Sequence, residues 1–562
     1  MVIKMVKVNF ISEGIISFIN KGETILEAAR KAGVIIETPC NAIGSCGKCK
    51  VKVVNLNAES IVSKIGRHNL EPEESKAGYV LACQAQVYED IEVLIENTAS
   101  QNKTLKILSN GRSFSYDIKS NIIKTFDGEK TRVFADGTFI GEEPGDTSLR
   151  AYGLSIDIGT TTLVTALINL LTGDEIASVS ALNPQSLQAQ DVLARIKFAS
   201  TSDGLKIMYK VITDELNRMI KTVSLEAKIN EHHIYEVIYS GNTTMIHLAC
   251  NINPLTLGKY PYISQISGGS NITAEMLNIS PFGLVYLPPV ISAYVGPDIT
   301  SGILASQLYK KKGITLFIDI GTNGEMVIAN EGKLSATSTA AGPAFEGMNI
   351  AYGMRAGKGA LEYLKIEDSG EIKTHTIGDA KTTGICGSGL LDIVGELVKA
   401  QVIGTNGKFI APEKGTYSEN LKKQMVLREG KLCFEAAPQV YLTSKDIRQV
   451  QLAKGAIRAG VEMLLLRLGV KAEEVTSVEI AGSFGFHLRE ESLLNIGLLS
   501  EKFKGKISFV GNTSKTGGEA FLLNTDFRNS MKCLVKDIDV IELANQKDFD
   551  KFFIRELSFN SR

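Results

Sequence analysis

Apolar and polar residues alternate along Val6–Phe10 and again along Ile15–Ile19, with Ser12-Glu13-Gly14 between them. A period of two predicts a β-hairpin with one buried face. The rhythm then changes. Thr24–Lys31 carries its apolar residues at helical spacing, and Gly33 stands just past its end, where a left-handed cap residue belongs. Val51–Val54 and Ile91–Leu94 return to strand spacing. Arg132–Phe134 and Thr138–Ile140 flank Ala135-Asp136-Gly137, a second hairpin signal. From Leu154 the chain repeats a longer unit. An apolar strand, a glycine turn and a second apolar strand run through Leu154–Ile168, with Ile176–Ser180 after the turn Thr172-Gly173-Asp174. Leu316–Ile328 has the same form and is followed by Asn330-Glu331-Gly332. Two matching units imply an internal duplication.

The first candidate chemistry is a set of thiols. Cys40-Asn-Ala-Ile-Gly-Ser-Cys46-Gly-Lys-Cys49 has C-x5-C-x2-C spacing, and thirty-three residues separate Cys49 from Cys83. Thiolates are the soft ligands that iron–sulfur clusters need, and Gly44 and Gly47 let the loop curl around them. The alternatives are a structural zinc site, which more often shows two CxxC pairs, and disulfides. The order strand, strand, helix, cysteine loop, strand resembles the β-grasp [2Fe-2S] ferredoxins, and the five-residue first gap is similar to the adrenodoxin branch. That resemblance implies a cluster on Cys40, Cys46, Cys49 and Cys83. Cys250, Cys386, Cys433 and Cys533 are scattered and are read mostly as buried small hydrophobes.

The repeated turns supply the second chemistry. Asp157-Ile-Gly159-Thr160-Thr161 and Asp319-Ile-Gly321-Thr322-Asn323 each follow an apolar strand. Glycine lets backbone amides approach phosphate oxygens, and Thr and Asn side chains add donors. An aspartate at the strand end can orient Mg²⁺ through its water shell. Glu325 is a candidate for orienting an attacking water. Val478–Ile480 runs into Gly482-Ser483-Phe484-Gly485, which resembles the adenosine motif of the superfamily containing actin, sugar kinases and heat-shock chaperones. Thr383–Asp392, leading into a helix, looks like that superfamily's connecting motif. The implied fold is α+β and α/β. A β-grasp ferredoxin domain at 1–96 precedes a linker and small middle domain at 97–150. A duplicated, ribonuclease-H-like, actin-like two-lobed ATPase follows at 151–562.

Composition narrows the class. At 562 residues the chain holds several domains, and 44% hydrophobic content supports substantial cores. A net charge of −1 gives no global pull toward nucleic acid or anionic membrane, and no apolar run has membrane-spanning length. Met-Val-Ile-Lys leads directly into a strand pattern, so a cytoplasmic protein is expected. His232, His233, His247 and His487 make no ligand pair and are read as packed or solvent histidines.

A narrower resemblance rests on longer runs. These are Tyr152–Thr162, Asn183-Pro-Gln185, Asp191–Ile196, Ser240–Met245, Ala341–Gly347, Asp446–Lys454, Gly511-Asn512 and Gly517–Ala520. They are similar to the reductive activators of corrinoid-dependent methyl-transfer proteins. The resemblance implies a [2Fe-2S] cluster, ATP and Mg²⁺ as cofactors. It implies a corrinoid protein as partner, an external low-potential electron donor and a homodimer. Asp157 and Asp319 would organise Mg²⁺. Gly159, Thr160, Thr161, Gly321, Thr322 and Asn323 would hold phosphates, and Gly482, Ser483 and Gly485 the nucleoside. Loops 338–347 and 387–389 are candidates for contact with the corrinoid or for plain lobe connections. The competing readings are an activator of a radical dehydratase, kept open by Cys386, a kinase using Asp191 or Asp298 as base, and a non-catalytic nucleotide-gated module.

Overall fold

The structure is a computed structural model and describes residues 5–34, 36, 38, 42, 44, 47–54, 70, 72–95, 114–482 and 488–559. Cys40, Cys46, Ser483, Gly485 and His487 lie outside them.

The N-terminal sheet is built from β1 (Met5–Phe10), β2 (Ile15–Asn20), β3 (Lys50–Val53), β4 (Tyr79–Leu81) and β5 (Ile91–Leu94), in the order β2-β1-β5-β3-β4. β1 runs antiparallel to β2 and parallel to β5, the β-grasp arrangement. Helix Ile25–Ala32 packs on this sheet through Ile25, Leu26, Ala28 and Ala29. Its ends are set locally. Thr24 and Glu27 form a reciprocal capping box, and Gly33 closes the helix at φ 70°.

A three-stranded meander follows: β6 (Ile122–Phe126), β7 (Lys130–Ala135) and β8 (Thr138–Pro144). Its turn is the one the sequence predicts, with Asp136 at φ 48° and Gly137 at φ 71°. The meander is fastened to the next unit by a buried charge. Glu236 is fully buried and accepts from Asn121 Nδ2 at 2.7 Å and from Arg528 Nη1 and Nη2 at 2.8 Å each. Phe114 and Tyr116 meet Phe527 edge-on nearby.

The duplication is visible in the sheets. The first contains β9 (Tyr152–Ile158), β10 (Thr162–Asn169), β11 (Glu175–Leu182), β12 (Ile234–Gly241), β13 (Ser270–Thr273) and β14 (Leu284–Leu287), ordered β11-β10-β9-β12-β14-β13. The second begins with β15 (Ile314–Ile320), β16 (Gly324–Asn330) and β17 (Lys333–Thr339). Two small three-stranded sheets follow it in the chain: β18 (Ala360–Ile366), β19 (Ile372–Thr376) and β20 (Gly384–Ile385), then β21 (Met425–Arg428), β22 (Lys431–Ala437) and β23 (Val440–Leu442). β24 (Val475–Ala481), β25 (Ile507–Gly511) and β26 (Asp539–Val540) complete the second large sheet in the order β25-β24-β15-β16-β17-β26. Each unit has an antiparallel three-strand meander whose first strand pairs in parallel with the fourth, which pairs in parallel with one later strand, β14 in the first unit and β25 in the second. This is a ribonuclease-H-like sheet made twice, the two-lobed actin-like fold.

Helices Pro297–Ala305 and Thr513–Leu523 join the lobes. They share one core with Ile238 of β12, Phe317 of β15 and Val327 of β16. Their approach needs glycine. A Cβ on Gly517 would lie 2.0 Å from Ser301 O, and one on Gly518 would lie 2.3 Å from Ser155 Oγ. The outer faces are covered by Ser202–Ala227 on the first sheet and by Gly387–Lys399 and Ser444–Leu468 on the second.

Candidate functional site

The two glycine turns face each other. Thr161 Oγ1 lies 3.4 Å from Thr322 Oγ1, so residues 161 positions apart meet across the lobes. Each turn is closed by one amide: Gly159 N donates to Thr162 O at 3.0 Å and Gly321 N to Asn323 O at 2.9 Å. The first turn is held by groups distant in sequence. Asn183 Nδ2 donates to Gly159 O at 2.8 Å, Arg195 Nη2 to Thr160 O at 2.6 Å, and Asn242 Nδ2 to Thr160 Oγ1 at 3.0 Å. Arg195 is fully buried, and burial lowers its pKa to about 9 against the opposing pull of Asp191 and Glu346. On the second turn Thr322 Oγ1 donates to Glu346 Oε1 at 2.5 Å.

Four carboxylates lie at the turns, Glu325 buried and Asp157, Asp298 and Asp319 half-buried. Asp157 accepts from Asn512 Nδ2 and Ser514 Oγ, each at 2.8 Å, at the start of helix Thr513–Leu523. Burial raises its pKa and those two bonds oppose the rise. Asp319 is raised to about 7 by burial and then by the charge of Asp157. Asp298, at the start of helix Pro297–Ala305, is raised to about 8 by burial, then by Asp319, and less by Asp157. Glu325 pairs across the hairpin with Asp319 and is raised well above its ordinary value by burial and then by Asp298 and Asp319. These acids repel one another in a partly desolvated site, which is the electrostatic condition for a cation to bind there. Among the described residues no group of three or more His, Cys, Asp or Glu is arranged to grip a metal ion directly.

Gly482 borders the same place. It has φ +124°, and a Cβ there would lie 2.5 Å from Ile320 O and 3.4 Å from Asp319 Oδ1. Only glycine lets β24 turn away so close to β15. Of the predicted nucleotide residues, Asp157, Gly159, Thr160, Thr161, Asp319, Gly321, Thr322, Asn323, Glu325 and Gly482 are therefore at or next to one cleft.

The cluster loop is described in part. Cys49 Sγ and Cys83 Sγ are 3.2 Å apart, and both are buried. The Cys83 thiol is lowered to about 7, chiefly by its contact with Cys49 and against burial. Two thiols brought together from positions 34 apart fit a shared iron. Gln84 Nε2 donates to Ala42 O at 3.0 Å and ties Ala42 to the turn that carries Cys83.

Several residues outside the predicted set belong to the cleft. Asp298 adds a fourth acid, Glu346 takes the Thr322 hydroxyl, and Asn183, Arg195, Asn242 and Asn512 position the turns. Most of them stand inside the runs that carry the family resemblance, so their presence was legible although their roles were not. Asp191 is a helix cap, accepting from Ala194 N at 2.7 Å. Cys386 is buried, with its Sγ 3.3 Å from Leu361 O, and Cys433 is buried. Cys250 is half-buried and Cys533 exposed. Gly387 and Gly389 are required by packing, since a Cβ on them would lie 1.7 Å from Phe345 O and 2.0 Å from Leu361 O. His247 is a packed histidine, with Nδ1 2.7 Å from Thr243 O and Nε2 accepting from Gln265 N at 3.2 Å. No helix among the described residues is long and apolar enough to cross a membrane.

Comparison with known proteins gives this arrangement relatives over its whole length. The chain is 27% identical over 602 aligned residues to the "Corrinoid activation enzyme RamQ" of Eubacterium limosum, covering 96% of this chain and 97% of that protein. It is 26% identical to the "[Co(II) methylated amine-specific corrinoid protein] reductase" of Methanosarcina barkeri, covering 73% and 77%. A solved structure described as "Reductive activator for corrinoid,iron-sulfur protein" superposes with a TM-score of 0.72 at 29% identity, covering 99% and 98%. The family model of the 2Fe-2S iron-sulfur cluster binding domain matches residues 11–88. The RACo middle region matches 152–311, and the C-terminal domain of RACo, the ASKHA domain, matches 313–562. An iron–sulfur domain, a RACo middle region and a RACo ASKHA domain follow one another in the family's order, and the chain belongs to the RACo family.

Proposed function

We propose that this chain is an enzyme that reductively activates a corrinoid protein, delivering one electron that returns Co(II) to Co(I) at the cost of ATP. The opposition of Thr161 and Thr322 beside a cluster of mutually repelling acids carries the nucleotide part of this reading. The relatives named as corrinoid activators, covering 96% and 99% of this chain, and the one named as a corrinoid-protein reductase, covering 73%, support the substrate class.

A [2Fe-2S] cluster on Cys40, Cys46, Cys49 and Cys83 would supply one-electron chemistry, and ATP with Mg²⁺ the driving force. The residues present fit both groups: a pair of buried thiols at 3.2 Å, and a cleft of mutually repelling acids. Plant-type centres sit at about −400 mV, and each further 100 mV on one electron costs about 2.3 kcal/mol. Coupling to a nucleotide closes a gap of that size. Thr160, Thr161, Thr322 and Asn323 bind phosphate oxygens. Asp157 and Asp319 orient the hydrated cation. Gly482 borders the cleft where the nucleoside would sit, and Ser483 and Gly485, expected to share that role, lie outside the described residues. Glu325, opposite Asp319 across the hairpin, is the candidate for positioning the attacking water, with Asp298 beside it; the neighbouring acids make both hold a proton more tightly than a free carboxyl, and a bound cation would lower that hold. An external low-potential donor reloads the thiolate site, and a homodimer is the expected assembly.

The test is an anaerobic assay that follows the Co(II) to Co(I) absorbance change in a corrinoid protein, with and without Mg-ATP. The Co(I) band is expected only with nucleotide. Failure of the band with every corrinoid protein tried refutes the reading.

A further inference from the structure

Helix Ile25–Ala32 is strapped to the turn that carries Cys83. Ile25 N donates to Ala85 O and Leu26 N to Ala82 O, each at 3.0 Å. After Gly33 the chain runs through buried Val34, Ile36 and Thr38 toward Cys40. Arg30 stands four residues after Leu26 and so shares its face of the helix. Helical side chains lean toward the N-terminus, which carries the Arg30 stem toward the Cys83 turn.

Arg30 Nε is shut off from solvent and has no hydrogen-bond partner among the described residues. Glu27, one turn earlier, is committed to the helix cap: its Oε2 accepts from Thr24 N at 2.6 Å and from Thr24 Oγ1 at 3.0 Å. Burial lowers the pKa of Arg30, while the charges of Glu27 and then Cys83 pull it up. A guanidinium stays protonated even so. A buried N–H without an acceptor costs stability, and here the unanswered donor belongs to a cation beside a thiol pair 3.2 Å apart. Gln84 Nε2, 3.8 Å from Cys83 Sγ, is a neutral donor to the same sulfur. Arg30 brings the positive charge.

We propose that Arg30 tunes the one-electron potential of the cluster held by Cys83, supplying the positive charge that favours its reduced state. This rests on the cluster reading given above. Four thiolates and two sulfides outweigh two ferric ions, so the oxidised group is an anion. One electron from the external donor turns one ferric ion ferrous and adds one negative charge, and Arg30 keeps its proton throughout. The guanidinium attracts the reduced form more than the oxidised form and so raises the potential. Arg30 thereby makes the site easier to load and leaves the rest of the climb to cobalt to the nucleotide. The sign of the effect separates charge from packing. Admitting water beside an anionic cluster raises its potential, whereas removing a neighbouring cation lowers it.

Anaerobic redox titration of the full chain, followed by the visible absorbance of the cluster, tests this. The variants are Arg30→Met, Arg30→Gln and Arg30→Lys, each checked for wild-type iron content and oxidised spectrum. Both neutral variants should lower the reduced-to-oxidised ratio at a fixed potential by about tenfold, about 60 mV on a one-electron couple. Arg30→Lys should recover most of that loss. Lys31→Met, which removes a neighbouring exposed charge paired with Glu23, should leave the potential where it is. The inference is overturned by an unchanged or raised potential in the neutral variants, by a fall in Arg30→Lys as large as in Arg30→Met, or by an equal fall in Lys31→Met. Loss of iron from both neutral variants also overturns it, since Arg30 would then hold the cluster rather than tune it. A wild type without a cluster overturns the cluster reading and the inference together. The expected series of potentials with no Co(I) formed supports the inference while the corrinoid reading fails.

Discussion

Replacing Asp319 by Asn should stabilise the nucleotide-free protein and weaken its hold on Mg-nucleotide. Asp319 is raised from 3.8 to about 7, first by burial and then by Asp157. The folded state therefore binds this proton more tightly than the unfolded chain does. Stability falls as pH rises from about 4 to about 7 and stays reduced above that. At about 1.36 kcal/mol per tenfold in proton affinity, the ionised carboxylate costs roughly 4 kcal/mol at pH 8 and about 1.5 kcal/mol at pH 5. Asparagine has the same shape and no charge to bury. The readout is hydrogen exchange of the β15 amides, which reports local opening without needing the whole chain to unfold in one step. Relative to wild type at the same pH, Asp319→Asn should slow exchange by about a thousandfold at pH 8 and about tenfold at pH 5. Added Mg-nucleotide should protect the wild type strongly and the variant weakly. An equal effect at the two pH values, or no gain at pH 8, would refute the claim that the carboxylate is held ionised at a cost until a cation arrives.

Three further outcomes follow from the geometry. Cys46→Ala should lose the visible absorption of the cluster and corrinoid reduction while keeping nucleotide binding, read by spectrum and calorimetry; a colourless wild type purified without oxygen would exclude the cluster. Gly482→Ala places a methyl 2.5 Å from Ile320 O at a left-handed φ, so it should destabilise the β15–β24 contact by about 2 kcal/mol and raise the nucleotide Kd at least tenfold. Glu236→Ala leaves the Arg528 guanidinium buried without its partner and should cost about 3–5 kcal/mol in urea denaturation, with Arg528→Met in the same background restoring part of it.

The sequence determined whatever depends on neighbours along the chain. The hairpin turn at Asp136-Gly137, the caps of helix Ile25–Ala32 and the two Asp-Ile-Gly-Thr turns are short-range features, and their residues allow few conformations. Duplication was legible because each unit writes the same period of strands around the same glycine turn. Tertiary structure alone decided which distant groups meet. Asp298 is legible in sequence only as the base of a rival kinase reading, and only the approach of helix Pro297–Ala305 to β15 puts it among Asp157, Asp319 and Glu325. Glu346 reaches Thr322, and Asn512 reaches Asp157 from 355 positions away, for the same reason. Gly387 and Gly389 made the opposite case, since only the backbone pressed against them shows that packing required them. A residue's local conformation follows from its own sterics and those of its neighbours, but its electrostatic role follows from what the fold buries beside it.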